Sequence, residues 1–408
     1  NINTKVSQDI DKINKLGHKI HELNQQISKI EAGGIETAMD LRDERDLALD
    51  QLGALAKISY KEDYKGVVTV KLEDEYFVDE LHTYEIGKKT DKLTGFITPY
   101  WPQLSDTDRD IYVNVFDFNV DISTALNSDV GELKALIMSR GDHWADYSDI
   151  EGKGEQEYLD TTNLSVIIDM QAKLDQMVHN MITAINDQLC PNVTGPVGVT
   201  YQDANGNTVN LSDAKVLDTE NCARGSDGEL PPRELFVRAG IERYTEVTGS
   251  DGKTYYVYNE EDTSDTSYMY SLTSCGVNEE LKKIETLFPH LKQNGEVDQQ
   301  LGERLEALWN KDLVGLDPTD PDECNIEEYY QKMIGGLATV GNVYQKKAEN
   351  LAGSVLTIEN NRQQVIGVSS DEELQNMIKF QNAYNASSRF MTVISDMIEH
   401  IVTRLGNG

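Results

Sequence analysis

The 408-residue chain has no run approaching the ~20 apolar residues that a membrane-spanning helix needs, so it is not expected to be membrane-embedded. It is also short of positive charge. Lys and Arg number 37 against 71 Asp and Glu, a formal net charge of −34, and the summed field repels phosphate backbones and anionic headgroups. Nucleic acid is therefore not an expected partner. The four cysteines, Cys190, Cys222, Cys275 and Cys324, lie far apart with neither C-x-x-C nor any metal-ligand spacing, which argues against a zinc site. No G-x-S-x-G, H-E-x-x-H, Walker A or Rossmann pattern occurs. We expect no enzymatic activity, no catalytic residues, no cofactor and no metal. The chain opens Asn1-Ile2-Asn3-Thr4-Lys5 without a basic and apolar leader, so no signal peptide is read there.

What the chain does have is helical periodicity at both ends. Val6, Ile13, Ile20 and Ile27 repeat every seven residues, with Leu16, Leu23 and Ile30 on a second line, which predicts a helix with a heptad seam. Gly33-Gly34 breaks it, Asp40 can cap a second helix, and Leu41, Leu49, Leu52 and Leu55 give that helix an apolar face. From Tyr60 the period changes to two, with Val68, Val70 and Leu72 alternating against polar residues. Ile167, Met170, Leu174, Met177, Met181 and Ile185 predict a long amphipathic helix. Residues 191–275, rich in Gly, Thr, Asp, Asn and Tyr, carry two pairs suited to type I′ turns, Asn205-Gly206 and Asp251-Gly252. Neither fits a calcium loop.

Helices resume at Asn278. A long one from about Ile326 aligns Tyr330, Leu337, Tyr344, Leu351, Ile358 and Val365 in sevens, with Met333 and Val340 beside them. Ser370-Asp371-Glu372-Glu373 reads as a capping box for the last helix, where Met377, Tyr384, Met391, Ile398 and Leu405 form one line, flanked by Phe380, Ile394 and Ile401. Such a stripe is a liability if left wet, because each buried Leu, Ile or Met contributes roughly 1.5–3 kcal/mol. Leu374 and these eight residues are the expected subunit-packing or partner-packing surface.

The expected fold is mainly α with β-rich insertions (α+β), an elongated multi-domain rod with a coiled-coil-like helical core. Its parts are a discontinuous helical domain (1–59, 130–190 and 276–366), a small β-rich insertion (60–129), a second, variable β-rich insertion (191–275) and a C-terminal helix (367–408). Cys190 and Cys275 stand at the two edges of the second insertion and are candidates for a disulfide, although a free thiol packing as a small apolar residue is the commoner state. His18, His21 and Glu22 share one helix and could contribute to a metal site, but Ile20 and Leu23 already mark the buried side, which favours a solvated polar face. Asp40, Arg42, Asp43, Arg45 and Asp46 read as capping and surface pairing, not as an acid–base pair. The tyrosines between Tyr255 and Tyr270 offer either cross-strand packing or an adhesive, glycan-binding face.

Two segments carry a resemblance. Ile10-Asp-Lys-Ile-Asn-Lys-Leu16 through Leu23-Asn-Gln-Gln-Ile27, followed by Asp40-Leu-Arg-Asp-Glu-Arg-Asp46 and Leu49-Asp-Gln-Leu52, resembles the helical hairpin of the flagellar hook-associated protein 1 family. So does the ending Gly367-Val-Ser-Ser-Asp-Glu-Glu-Leu374 with Phe380-Gln-Asn-Ala-Tyr-Asn-Ala-Ser-Ser-Arg389. Weaker similarity covers Gly131 to Asp142 and Leu164 to Leu189, while the two β regions are unmatched. The resemblance implies a secreted structural subunit of the hook–filament junction, extracellular, exported through the flagellar type III apparatus. It also implies self-association in a ring, contact with hook protein and hook-associated protein 3, and a cytoplasmic export chaperone on the C-terminal region. The family begins with a further helical segment, and the chain is expected to start downstream of it. An alternative function is a secreted binding protein or adhesin that uses the 191–275 insertion on a flagellar-type stalk.

Overall fold

The computed structural model describes residues 2–34, 37–117, 130–204, 206–366 and 370–404. It divides into two units, 1–335 and 336–408, each considered by itself. That boundary lies inside a continuous helix, upstream of the expected break at 366/367, because Met333 is the last buried residue along that helix.

In the first unit, α1 (Ile2–Glu31) and α2 (Met39–Leu55) form the expected antiparallel pair around a glycine turn. The α1 seam is broader than the apolar residues suggest. The expected Val6, Ile13, Ile20 and Ile27 and their neighbours Leu16 and Leu23 are buried, while Ile30 is exposed; Ile10, Gly17 and Asn24 are buried as well and complete a 4-3 spacing through positions 6, 10, 13, 17, 20, 24 and 27. Gly17 is required by close approach, since a Cβ there would lie 2.6 Å from the Phe77 ring. Asp40 does not cap α2. The N-cap is Ala38, whose N–H is held by Glu31 at the end of α1 (3.0 Å), and Glu31 also receives two hydrogen bonds from Arg42, both 2.7 Å.

The first β-rich segment comprises β1 (Ile58–Glu62), β2 (Val68–Leu72) and β3 (Glu75–Val78) in an antiparallel meander, followed by the hairpin of β4 (Gly87–Thr90) and β5 (Ile97–Tyr100). It does not stand apart as a body of its own. Val68, Val70, Phe77 and Trp101 share one apolar cluster with α1, α2 and α3 (Glu132–Arg140). A short helix, α4 (Glu155–Asp160), then leads to α5 (Val166–Leu189), the long helix expected there. Its deepest stripe differs from the expected one: Ile168, Ala172, Asp175, His179, Ile182, Asn186 and Leu189 are buried, whereas Leu174 is exposed and Met170 and Met177 are half-buried.

The second β-rich segment contains β6 (Asn192–Thr194), β7 (Thr200–Gln202), β8 (Thr208–Asn210), β9 (Lys215–Leu217), β10 (Phe236–Arg238), β11 (Tyr244–Thr248), β12 (Thr254–Tyr258) and β13 (Cys275–Val277). Four of these make a sheet in the order β11-β12-β9-β6, and β7-β8 and β10-β13 are separate pairs. The β11–β12 connection is not a two-residue type I′ turn. Gly249 donates to Lys253 O and Gly252 donates to Gly249 O, a three-residue loop whose last residue, Gly252, sits at φ +79°. The β7–β8 loop closes in the same way through Asp203, Gly206 and Asn207, while Asn205 lies outside the described residues.

The helices α6 (Glu279–Lys283) and α7 (Gln299–Ala307) follow, and Leu301 of α7 packs with Leu189, Leu217 and Tyr244. The first turns of α8 (Ile326–Ile366) are anchored through Tyr329, whose hydroxyl donates to Lys173 O and Gln176 Oε1, both at 2.9 Å. The second unit consists of the remainder of α8 and α9 (Ser370–Arg404). The capping-box side chains of Ser370 and Glu373 lie outside the described residues. The α+β class stands as expected.

Candidate assembly surface

Two places hold enough chemistry to be a functional site: the seam where α5 meets the second β-rich segment, and the exposed face of the last helix. The α5 seam is polar. Asn186 accepts from Leu235 N–H (3.1 Å) and Phe236 N–H (3.2 Å) and donates to Phe236 O (2.8 Å), so one side chain takes the part of a strand neighbour. Asp175 likewise receives Leu272 N–H at 2.6 Å, Ser271 Oγ at 3.0 Å and Tyr147 N–H at 2.9 Å.

Beneath them Glu234 accepts from Tyr270 Oη at 2.5 Å and from Asn186 at 3.2 Å, and Arg243 pairs with Asp187 at 2.5 Å. Burial pushes the Glu234 carboxyl up to about 7, outweighing the Tyr270 hydrogen bond and the nearby Arg243 and Arg238 charges. Each of these groups holds another part of the fold, and the network ties the insertion to the helix. A shifted carboxylate alone does not make this a reactive centre.

The first β-rich segment is attached by the same device. Asn3, Asn14 and Asn24 on α1 each accept from a backbone N–H (Ile97, Ile86 and Val68) and donate to a backbone carbonyl (Gly95, Ile86 and Val68), at 2.8–3.0 Å. Arg45, expected on the surface, is 1% exposed and reaches Gly66 O at 2.6 Å and Asn24 at 3.1 Å. His18 and His21 turn to different partners, Glu85 at 2.6 Å and Asp79 O at 3.3 Å. No group of three or more His, Cys, Asp or Glu among the described residues is placed to hold a metal ion. The Cys190–Cys275 bridge is not formed, and all four thiols are free. Cys190 points into the cluster of Leu217, Cys222 and Tyr244, whereas Cys275 lies on the β10–β13 pair opposite Arg238. Nor do the tyrosines form an exposed face, since Tyr255, Tyr256, Tyr258 and Tyr268 are half-buried and Tyr270 is fully buried.

The second unit is the reverse case. From Leu374 to Met397 every side chain is exposed except Ile394, which is half-buried, and α8 is exposed from Ile334 to Gln364. Phe380 and Tyr384 are 72% and 74% exposed, with Leu374, Met377 and Met391 alongside. Ile398 and Ile401 belong to the helix but their side chains, and the whole of Leu405, lie outside the described residues. Sequence reasoning missed a third line, Phe390 and Met397, also exposed and seven residues apart. Counting these in sevens would have found it. Together the three lines make a face wider than the two-line seam of a simple coiled coil.

Comparison with known proteins shows what the chain resembles. The model of the flagellar hook-associated protein FlgK helical domain matches residues 1–195, and that of the flagellar basal body rod FlgEFG protein C-terminal region matches residues 363–404. The chain is similar to the FlgK family of flagellar hook-associated proteins over residues 1–195. Flagellar hook-associated protein 1 of Bacillus subtilis (strain 168) is 23% identical to it over 428 residues, covering 100% of this chain and 67% of the relative. The flagellar hook junction protein FlgK from Burkholderia pseudomallei, a solved structure, aligns with 71% of this chain at 14% identity and a TM-score of 0.35. The alignment takes in 51% of that structure's chain, about half its length. The family is one of flagellar structural proteins, and no described helix is long and apolar enough to cross a membrane.

Proposed function

We propose that this chain is a structural subunit of the bacterial flagellar hook–filament junction that polymerises through the apolar face of α9. The observation that carries the proposal is the three-line stripe through Met377, Phe380 and Phe390, left in water along its described length except at the half-buried Ile394. A face of that breadth is satisfied by more than one neighbouring helix, as in the wall of a tube, and less well by a single partner. Burying one such side chain contributes roughly 1.5–3 kcal/mol, so a few per subunit suffice to hold a ring whose contacts repeat.

Similarity to the FlgK family supports the remaining parts of the proposal. The subunit self-associates in a ring, contacts hook protein on one side and hook-associated protein 3 on the other, and acts outside the cell after flagellar export. An export chaperone that covers the C-terminal region beforehand would keep the same stripe from aggregating. No catalytic step is required. The test is a Phe380→Asp, Met391→Asp double variant as the sole copy in motile cells. It should leave hooks without retained filaments, while the purified variant keeps the unfolding transition of its first unit. Filaments retained in normal number would refute the role given to α9.

A further inference from the structure

We infer that Cys190 and Cys222 form a redox-closable pair, joined by a disulfide when the folded protein meets a disulfide oxidant. The inference does not depend on the assembly role. Cys190 ends α5 and Cys222 follows β9, and the fold folds one onto the other. Asn192 of β6 pairs with Leu217 of β9, and one step outward Asp218 N–H donates to Pro191 O at 2.8 Å. The chain then makes a single tight turn, with Cys222 N–H donating back to Asp218 O at 2.9 Å and the Asp218 carboxylate taking Glu220 and Asn221 N–H at 3.1 and 3.2 Å. Cys222 is thereby returned across the strand pair toward the residue before Pro191. Both thiols end in the same buried cluster, with Leu189, Leu217 and Tyr244 around them.

Access comes from one side. A cleft of about 580 Å³ is lined by Cys222 together with Pro191, Asp187, Asn294 and Arg304, and Cys190 does not line it. Cys222 is therefore the thiol that an oxidant meets first, and Cys190 the one that resolves the adduct from behind. Oxidised glutathione serves as the oxidant. The Cys222 thiolate attacks one glutathione sulfur and expels a glutathione thiolate. Cys190, after losing its proton, then attacks Sγ of Cys222 and expels the second. Two protein thiols lose two protons and two electrons, and one glutathione disulfide becomes two glutathione molecules. Burial raises both thiols above their usual range, so closure is slow at neutral pH and quickens as the medium becomes alkaline.

The experiment incubates the reduced, folded full chain with oxidised glutathione, blocks remaining thiols by alkylation, digests without reduction and maps the peptides by mass spectrometry. The expected result is loss of two of the four thiols, one linked peptide pair containing Cys190 and Cys222, and alkylated Cys275 and Cys324. Cys275→Ala should keep the link, and Cys190→Ala should trap glutathione on Cys222, with far-UV circular dichroism confirming that each variant is folded. A Cys190–Cys275 link, a lasting glutathione adduct on wild-type Cys222, or four alkylated thiols would overturn the inference. None of these outcomes bears on filament retention, so the two proposals fail separately.

Discussion

Helices α1 and α9 are both built on a seven-residue apolar repeat, yet one is closed inside its own chain and the other is open. Along α1 the lines of Val6, Ile13, Ile20 and Ile27 are covered by α2 and by the strands that follow, and all four side chains are 0% exposed. Along α9 the described residues of the equivalent lines are in water, apart from the half-buried Ile394. Periodicity alone thus predicts that a helix needs a partner without saying whether the same chain supplies it. What separates the two is the polar content of the buried seam. α1 spends Asn24 on a buried position, and with Asn3 and Asn14 it clamps three pieces of backbone. Among the described residues, the apolar lines of α9 carry no such clamp.

The largest test of this contrast places the same charge in both seams. Ile20→Asp puts a carboxylate in a site with no solvent and should cost about 4 kcal/mol or more, removing the cooperative urea transition of the first unit. Met391→Asp should move that transition by less than about 0.5 kcal/mol, because the residue is already wet. Equal losses from the two substitutions would break the comparison. A step smaller is Asn24→Leu, which keeps the volume but strands the Val68 N–H and C=O and the facing Arg45. We expect a loss of about 2–4 kcal/mol, read as a lower urea midpoint with an unchanged slope. Asn186→Leu should behave alike for the second β-rich segment.

These polar clamps also mark the limit of what was legible beforehand. The hairpin of α1 and α2, both β-rich segments, the long α5, α8 and the unpartnered last helix all follow from periodicity and turn residues. The further buried line of α1 did not, because Gly17 and Asn24 are not apolar, and a search for hydrophobic sevens finds Leu16 and Leu23, which are buried too, and stops there. The same substitution of criteria hid Asp175, His179 and Asn186 on α5. Arg45 was placed in water for a related reason. In a run of alternating charges nothing local distinguishes the one cation that a turn carbonyl, Gly66 O between β1 and β2, will cover. Such positions are set by contacts tens of residues away, which a local pattern does not record.

The carboxylates that brace the α1–α2 junction and the second β-rich segment should respond to pH in opposite directions. Glu31, held down to about 2 by Arg42 and by Ala38 N–H, contributes stability above pH 4.5 that is lost as pH falls toward 2. Glu234, raised to about 7 by burial, favours the folded state most below pH 4.5, and that contribution is lost as pH rises through 7. Urea midpoints measured from pH 4 to 8 should therefore fall for wild type as pH rises from 4.5 to about 7 and level off above that. Glu234→Gln should flatten that slope, and Glu31→Gln should leave it in place. A wild-type slope that survives Glu234→Gln would assign the effect to other groups.

The smallest test uses one methyl group in each region. In a water-exposed helix, Gly→Ala lowers the entropy lost on folding and is worth about 0.5–1 kcal/mol in favour of the helix. Gly353 of α8 has nothing within 4 Å of where a Cβ would go, so Gly353→Ala should raise far-UV helicity and the melting temperature of that helix slightly. Gly17 sits in the interior of an equally regular helix and would gain the same propensity, but its Cβ would meet Phe77 Cζ at 2.6 Å and Thr83 Cγ2 at 3.0 Å. Phe77 is fully buried and cannot swing clear. The strain of overpacking, about 1–3 kcal/mol, should exceed the propensity gain and leave Gly17→Ala destabilised. Pairing Gly17→Ala with Phe77→Leu should recover part of the loss through the relieved contact. If Gly17→Ala were as stabilising as Gly353→Ala, the α1 seam would not be packed as tightly as its 4-3 spacing and the Phe77 contact require.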